Sequence, residues 1–113
     1  KEYRRQRQMC IRDRLRGASG FSAFAGAKFA LRALSQSMAR ELGPQGIHVA
    51  HFIIDGAIDT AFIKENFPDT YALKEKDGIL SPEKIADSYW FVHSQHRSVW
   101  TQELDLRPYM EKF

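Results

Sequence analysis

A long amphipathic helix that stops at a glycine–proline pair and runs straight into an apolar strand leaves a chain few ways to fold. Residues 21–42 are rich in Ala, Leu, Lys, Arg, Met and Gln, all good helix formers. Phe24, Ala27, Leu31, Leu34, Met38 and Leu42 recur at spacings of three and four, which predicts an apolar stripe. Gly43-Pro44-Gln45-Gly46 follows the last periodic residue and stops the helix. Residues 47–54 (IHVAHFII) are short, β-branched and nearly all apolar, the pattern of a strand buried on both faces. Helix, tight loop and buried strand make the second half of a βαβ unit, so the expected class is α/β with a parallel sheet.

Residues 55–60 (DGAIDT) form a loop at the C-terminal end of that strand. In open parallel sheets, ligands bind outside those ends. The mixed, charged stretch 61–78 reads as a mobile lid, with a short helix near 61–66. Ser81-Pro82-Glu83 starts another helix well: the serine caps free amides, the proline suits the first turn, and the acid complements the positive helix end. Ile85, Tyr89, Trp90 and Val92 give that helix a packing face, and it is expected to end near Gln95. Residues 98–106 read as a last strand, and no repeat or low-complexity tract interrupts the chain.

Several classes are excluded. No apolar run approaches the roughly 18 residues that span a bilayer. A single cysteine excludes an internal disulfide framework and a cysteine-based metal cage. His48 and His51 alternate within the strand pattern rather than at helical metal spacing, so they read as hydrogen-bonded strand histidines, and no metal site is expected. The N-terminus lacks the apolar core of a signal peptide, and the expected location is cytoplasmic.

The chain has 113 residues and a formal net charge of +3. That charge is not evenly spread. Residues 1–14 hold six basic residues against two acidic ones, and the remainder holds 11 against 12. The block reads as a phosphate-binding arm or as a solvated terminus. A third reading fits better: residues 4–14 (RRQRQMCIRDR) back-translate into a transposase adapter of sequencing libraries, and residues 1–3 into a library index. On that reading residues 1–14 are an artefact, and 15–113 are the C-terminal half of a longer domain. A nucleic-acid partner, resting on those 14 positions alone, is not expected.

Near the start of the long helix stand Phe24 and Lys28, four residues apart, with Ala30-Leu31 and Glu41-Leu42 further along. The buried strand leads into Asp55-Gly56-Ala57-Ile58-Asp59-Thr60, and Ser81-Pro82-Glu83 with Ile85-Ala86 precedes the last strand. In order and spacing this resembles the short-chain dehydrogenase/reductase family over residues 17–106. The resemblance implies a partial Rossmann-like, doubly wound parallel sheet, an NAD or NADP cofactor, and hydride transfer between nicotinamide and a small-molecule carbonyl or alcohol. The family carries a Tyr-x-x-x-Lys pair, a Pro-Gly-x-x-x-Thr loop, and a helix that packs against another subunit. Positions i and i+4 share a helix face, so a lysine there stabilises a phenolate and lowers the tyrosine's pKa.

Lys28 matches the lysine, which implies a ribose contact; by spacing alone it reads as a solvated helix lysine. Phe24 stands at the tyrosine position and has no proton to give; by itself it reads as core packing. Gly56, Ile58 and Thr60 match the nicotinamide-side loop, and Thr60 also reads as a helix N-cap. Asp55 replaces the family's proline, and an acid there disfavours a nearby phosphate. The run of small residues Ala23, Ala25, Gly26, Ala27, Ala30 and Ala33 permits close helix approach, and the resemblance, through the family's subunit-packing helix, implies a homo-oligomer for the intact protein. The alternative is a non-catalytic, cofactor-binding or regulatory relative. The literal chain is expected to be inactive and not to bind the cofactor, since the half that holds the pyrophosphate is absent from it.

Overall fold

A computed structural model of the chain describes residues 22–112. The basic segment 1–14 and the loop expected after it lie outside the described residues. Helix α1 (Ser22–Leu42) leads through a 3-10 turn (Gly43–Gln45) to strand β1 (His51–Ile54). An excursion holds α2 (Ala61–Asn66), α3 (Pro68–Tyr71), a second 3-10 turn (Ala72–Lys76) and α4 (Pro82–His93). A third 3-10 turn (Arg97–Val99) then precedes β2 (Glu103–Leu106). The two strands are parallel and in register, from His51 opposite Glu103 to Ile54 opposite Leu106. A parallel pair needs a crossover connection, and α4 lies within it.

Alternation along the strands puts His51, Ile53 and Glu103 on one face and Phe52, Ile54 and Leu104 on the other. Arg32 of α1 reaches Glu103, so α1 covers the first face. Tyr89 of α4 stacks on Phe52 with ring centroids 3.8 Å apart, so α4 covers the second. Helices on both faces of parallel strands give the α/β, partial Rossmann-like arrangement read from the sequence. Among the described residues Ile53, at 2% exposed, is the most buried apolar side chain, and Ala25, Ala57, Ile79, Leu80 and Val92 are buried too.

The first helix stops where the glycines and proline place the stop. Gly46 takes φ +82, and its N–H bonds the carbonyl of Gly43, while Ile47 N–H closes onto Leu42. The left-handed conformation at Gly46 costs little because there is no Cβ.

Two expectations about the strands need correction. The strand of 47–54 pairs only from His51 onward, and the strand of 98–106 only from Glu103. Side chains have taken the backbone groups that a longer ladder would use. His48 Nε2 donates to the Thr101 carbonyl at 2.7 Å, and Thr101 N–H donates to Gln95 Oε1 at 2.9 Å. Upstream, the His96 ring accepts from Ser98 N–H and coils 97–99 into its turn. Second, β1 is buried on the α1 face but only half-buried at Phe52 and Ile54.

The apolar stripe of α1 is present and points away from the sheet, with Leu31 48% and Leu34 56% exposed. Its sheet-facing side carries buried Ala25 and Ser35 with Arg32 between them. Periodicity reveals a stripe but not what covers it. On α4, similarly, Val92 is buried while Trp90 is 69% exposed against the His93 ring, and Trp100 stacks on His48.

The link between α1 and the sheet is a charged triad. Arg32 Nε and Nη2 donate to the two Glu103 oxygens at 2.8 and 2.7 Å, and His51 Nδ1 donates to Oε1 at 3.2 Å. Burial pushes the Glu103 carboxyl up, but its bonds to Arg32 and His51 outweigh this and hold it below the usual range. A depressed carboxylate stabilises the fold above its unfolded pKa, and that contribution disappears as pH falls through the lower, folded value. Glu103→Gln in the intact protein is therefore expected to flatten the acid limb of a stability–pH curve. Parallel acid limbs for the two proteins, read by urea midpoints between pH 3 and 6, would contradict this role.

Candidate functional site

Helix α1 and the strands have a common reference level, because Arg32 meets the first residues of both strands through Glu103 and His51. The short turn after α1 makes the helix run back against β1. Lys28 and Phe24 then lie about 6 and 12 Å above that level, at 1.5 Å per residue. The four residues of β1 advance about 10 Å over the same direction. The Phe24–Lys28 turn of the helix is therefore level with the upper end of β1 and the loop that follows. Lys28 is half-buried and makes no ion pair among the described residues.

The loop 55–60 is held from three sides. Asp55 N–H continues the ladder onto Leu106 O at 2.9 Å. Ile58 bridges Leu80 in parallel, with Asp59 N–H donating to Leu80 O and Leu80 N–H to Ala57 O, each at 2.8 Å. In that bridge the neighbours of Ile58 make the bonds, so its own N–H and C=O point away from Leu80. Among the described residues they are an unbonded donor–acceptor pair at the end of the sheet. Thr60 caps α2, its Oγ1 accepting from Ile63 N–H at 3.3 Å, while its hydroxyl proton stays available. The cap expected at Thr60 is thus present, and it leaves the hydroxyl able to donate elsewhere.

Gly56 adopts φ +142, and the C-terminal tail lies directly on it: a Cβ there would sit 2.9 Å from Pro108 Cδ. Beneath this contact Asp55 is 2% exposed, with Arg107 Nη1 2.9 Å from its Oδ2. Arg107 also grips Asp105 through Nε and Nη2. Asp55 and Arg107 escaped the sequence reading as a pair, since only a buried acid in a proline position and an Asp-x-Arg spacing signalled them.

The lid is pinned at its neck. The Ile58–Leu80 bridge closes its base, and Lys74 Nζ reaches Asp59 Oδ2 at 2.8 Å. The hydrogen bonds that Lys74 donates to the Asp59 carboxylate and to the Tyr71 hydroxyl raise its pKa. Between lid, loop and tail lies a cavity of about 160 Å³ that touches Asp55, Gly56, Thr70, Leu73 and Glu111. A larger one, about 410 Å³, lies at the opposite ends of the strands, between Arg40, His48 and Trp100. The loop end is the candidate site because it gathers Gly56, Ile58 and Thr60 level with Lys28. Among the described residues no three His, Cys, Asp or Glu side chains gather to hold a metal ion. No helix among them is long and apolar enough to cross a membrane.

A family model described as enoyl-(acyl carrier protein) reductase matches residues 11–104. A solved short-chain dehydrogenase from Rhodopseudomonas palustris is 44% identical to the chain, with a TM-score of 0.59. The chain belongs to the short-chain dehydrogenase/reductase family. The match covers 86% of this chain and 34% of the solved one, so the chain spans about a third of that relative's length. A comparison with curated proteins finds no match.

Proposed function

We propose that the chain belongs to an NAD- or NADP-dependent oxidoreductase that moves hydride between nicotinamide and a small-molecule carbonyl or alcohol. One observation carries this reading: the N–H and C=O of Ile58, unbonded among the described residues, lie at the C-terminal end of the sheet, level with the turn that bears Lys28. A carboxamide offers the complementary acceptor and donor, so the loop fits the nicotinamide end of the cofactor. Gly56 and Thr60 belong to the same binding edge, with the Thr60 hydroxyl as a further donor. Lys28 presents its ammonium to the ribose hydroxyls.

When bound, the cofactor supplies or accepts the hydride. The protein orients the ring through Ile58 and Thr60 and screens the site with the lid. Phe24 holds the tyrosine position without a transferable proton, so proton transfer falls to another donor or is absent. The same residue favours a second reading, a relative that binds the cofactor without turnover.

The uncovered stripe of Leu31, Leu34 and Met38 on α1 supports a homo-oligomer for the intact protein. The cytoplasm is the proposed location, without a nucleic-acid or membrane partner. The test is titration of the intact protein with NADH and NADPH, followed by nicotinamide fluorescence. Saturable binding of one of them, with turnover on a panel of carbonyls and an enoyl thioester, is expected. Binding without turnover selects the second reading, and no binding of either cofactor rejects both.

A further inference from the structure

We infer that Arg107 is a positioning residue that neutralises Asp55 so that the loop accepts the nicotinamide ring in both of its charge states. This rests on the cofactor reading proposed above. Asp55 is 2% exposed and opens the loop directly after β1, where a carboxylate without a counter-charge would be costly. Arg107 reaches it from the residue just after β2, Nη1 to Oδ2 at 2.9 Å, and the same guanidinium holds Asp105. Pro108, next in the chain, is buried and packs on Gly56, so the tail carries the charge to the loop and fixes the loop's path at once.

A buried ion pair contributes little net stability compared with apolar residues of the same shape. Its placement at the binding edge calls for another account. The oxidised and reduced cofactors share both phosphates and both riboses. They differ in charge only at the nicotinamide ring, which is cationic when oxidised and neutral when reduced. Asp55 precedes Ile58 by three residues, hence lies within about 10 Å of it. At that range an uncompensated unit charge in a partly buried setting alters the preference for a cationic over a neutral ring on the order of tenfold. Arg107 offsets the buried Asp55 charge, while Asp105, which shares the guanidinium, is 38% exposed and screened by solvent.

The experiment measures dissociation constants of NAD⁺ and NADH, and of NADP⁺ and NADPH, for the intact protein and three variants. Arg107→Met is expected to favour the oxidised form about tenfold relative to wild type. Asp55→Asn is expected to move the ratio the opposite way. The double variant is expected to return it toward wild type, an outcome that general damage to the loop would not produce. If Arg107→Met fails to fold, Asp55→Asn alone decides by the direction of its shift. Ratios unchanged in the single variants, with both forms still bound, overturn the inference and leave the cofactor reading intact. A wild-type protein that binds neither pair overturns both.

Discussion

Phe24→Tyr in the intact protein is expected to raise carbonyl reduction by about 10²-fold or more, the range that a positioned general acid contributes. The two positions are one helical turn apart and share a face, so a phenol at 24 would lie beside the Lys28 ammonium. That cation favours the phenolate and brings the phenol's pKa down toward neutrality, where proton transfer is most effective. The gain should therefore depend on the lysine: Lys28→Met in the Phe24→Tyr background is expected to remove most of it. Phe24→Leu keeps an apolar side chain and should leave the basal rate within a fewfold of wild type. Single-turnover rates at saturating cofactor separate this chemistry from binding. An unchanged rate in Phe24→Tyr, with cofactor still bound, would show that the site has diverged to chemistry that needs no acid at this position.

Much of the fold was legible because its signals are local. The helix of α1 follows from composition and from the glycine–proline stop, and the parallel arrangement follows from an apolar strand entered directly from a helix. The limits of the strands were not legible, because they depend on which groups Thr101 bonds. His48 and Gln95 take them, and neither partner is visible to a propensity argument. The face that α1 turns to the sheet was not legible for a related reason. Its bond to the sheet runs through Arg32 and Glu103, 71 residues apart, so a polar contact and not the leucine stripe decides the orientation. At the proposed site, Lys28, Gly56, Ile58 and Thr60 come from the resemblance rather than from spacing, which by itself makes Lys28 a solvated helix lysine. Asp55 and Arg107 were not legible as a pair, since opposite charges distant in sequence carry no mark of their pairing. What the resemblance could not supply was the direction of the Ile58 backbone, which only its bridge to Leu80 defines.

Gly56→Ala is expected to lower stability by about 2–4 kcal/mol and to weaken cofactor binding at the same time. Two costs add at this residue. Its φ of +142 belongs to a region that side-chain-bearing residues avoid, at about 1–3 kcal/mol. The new Cβ would also press on Pro108 Cδ at 2.9 Å, with Pro108 Cγ at 3.4 Å and Leu80 Cδ1 at 3.5 Å behind it. A proline ring cannot swing aside as a lysine or methionine end can, so relief must come from the backbone. The loop moving outward carries Ile58 off its bridge with Leu80; the tail moving outward draws Arg107 from Asp55. Either path disturbs the binding edge as well as the fold, which couples the two readouts. Gly43→Ala is the control, because a Cβ there meets nothing within 4 Å and its φ is not positive. That variant should unfold within about 0.5 kcal/mol of wild type in urea and bind cofactor unchanged. Equal urea midpoints for Gly56→Ala and wild type would mean that the tail does not bear on the loop, and the positioning role of Arg107 would lose its structural basis as well.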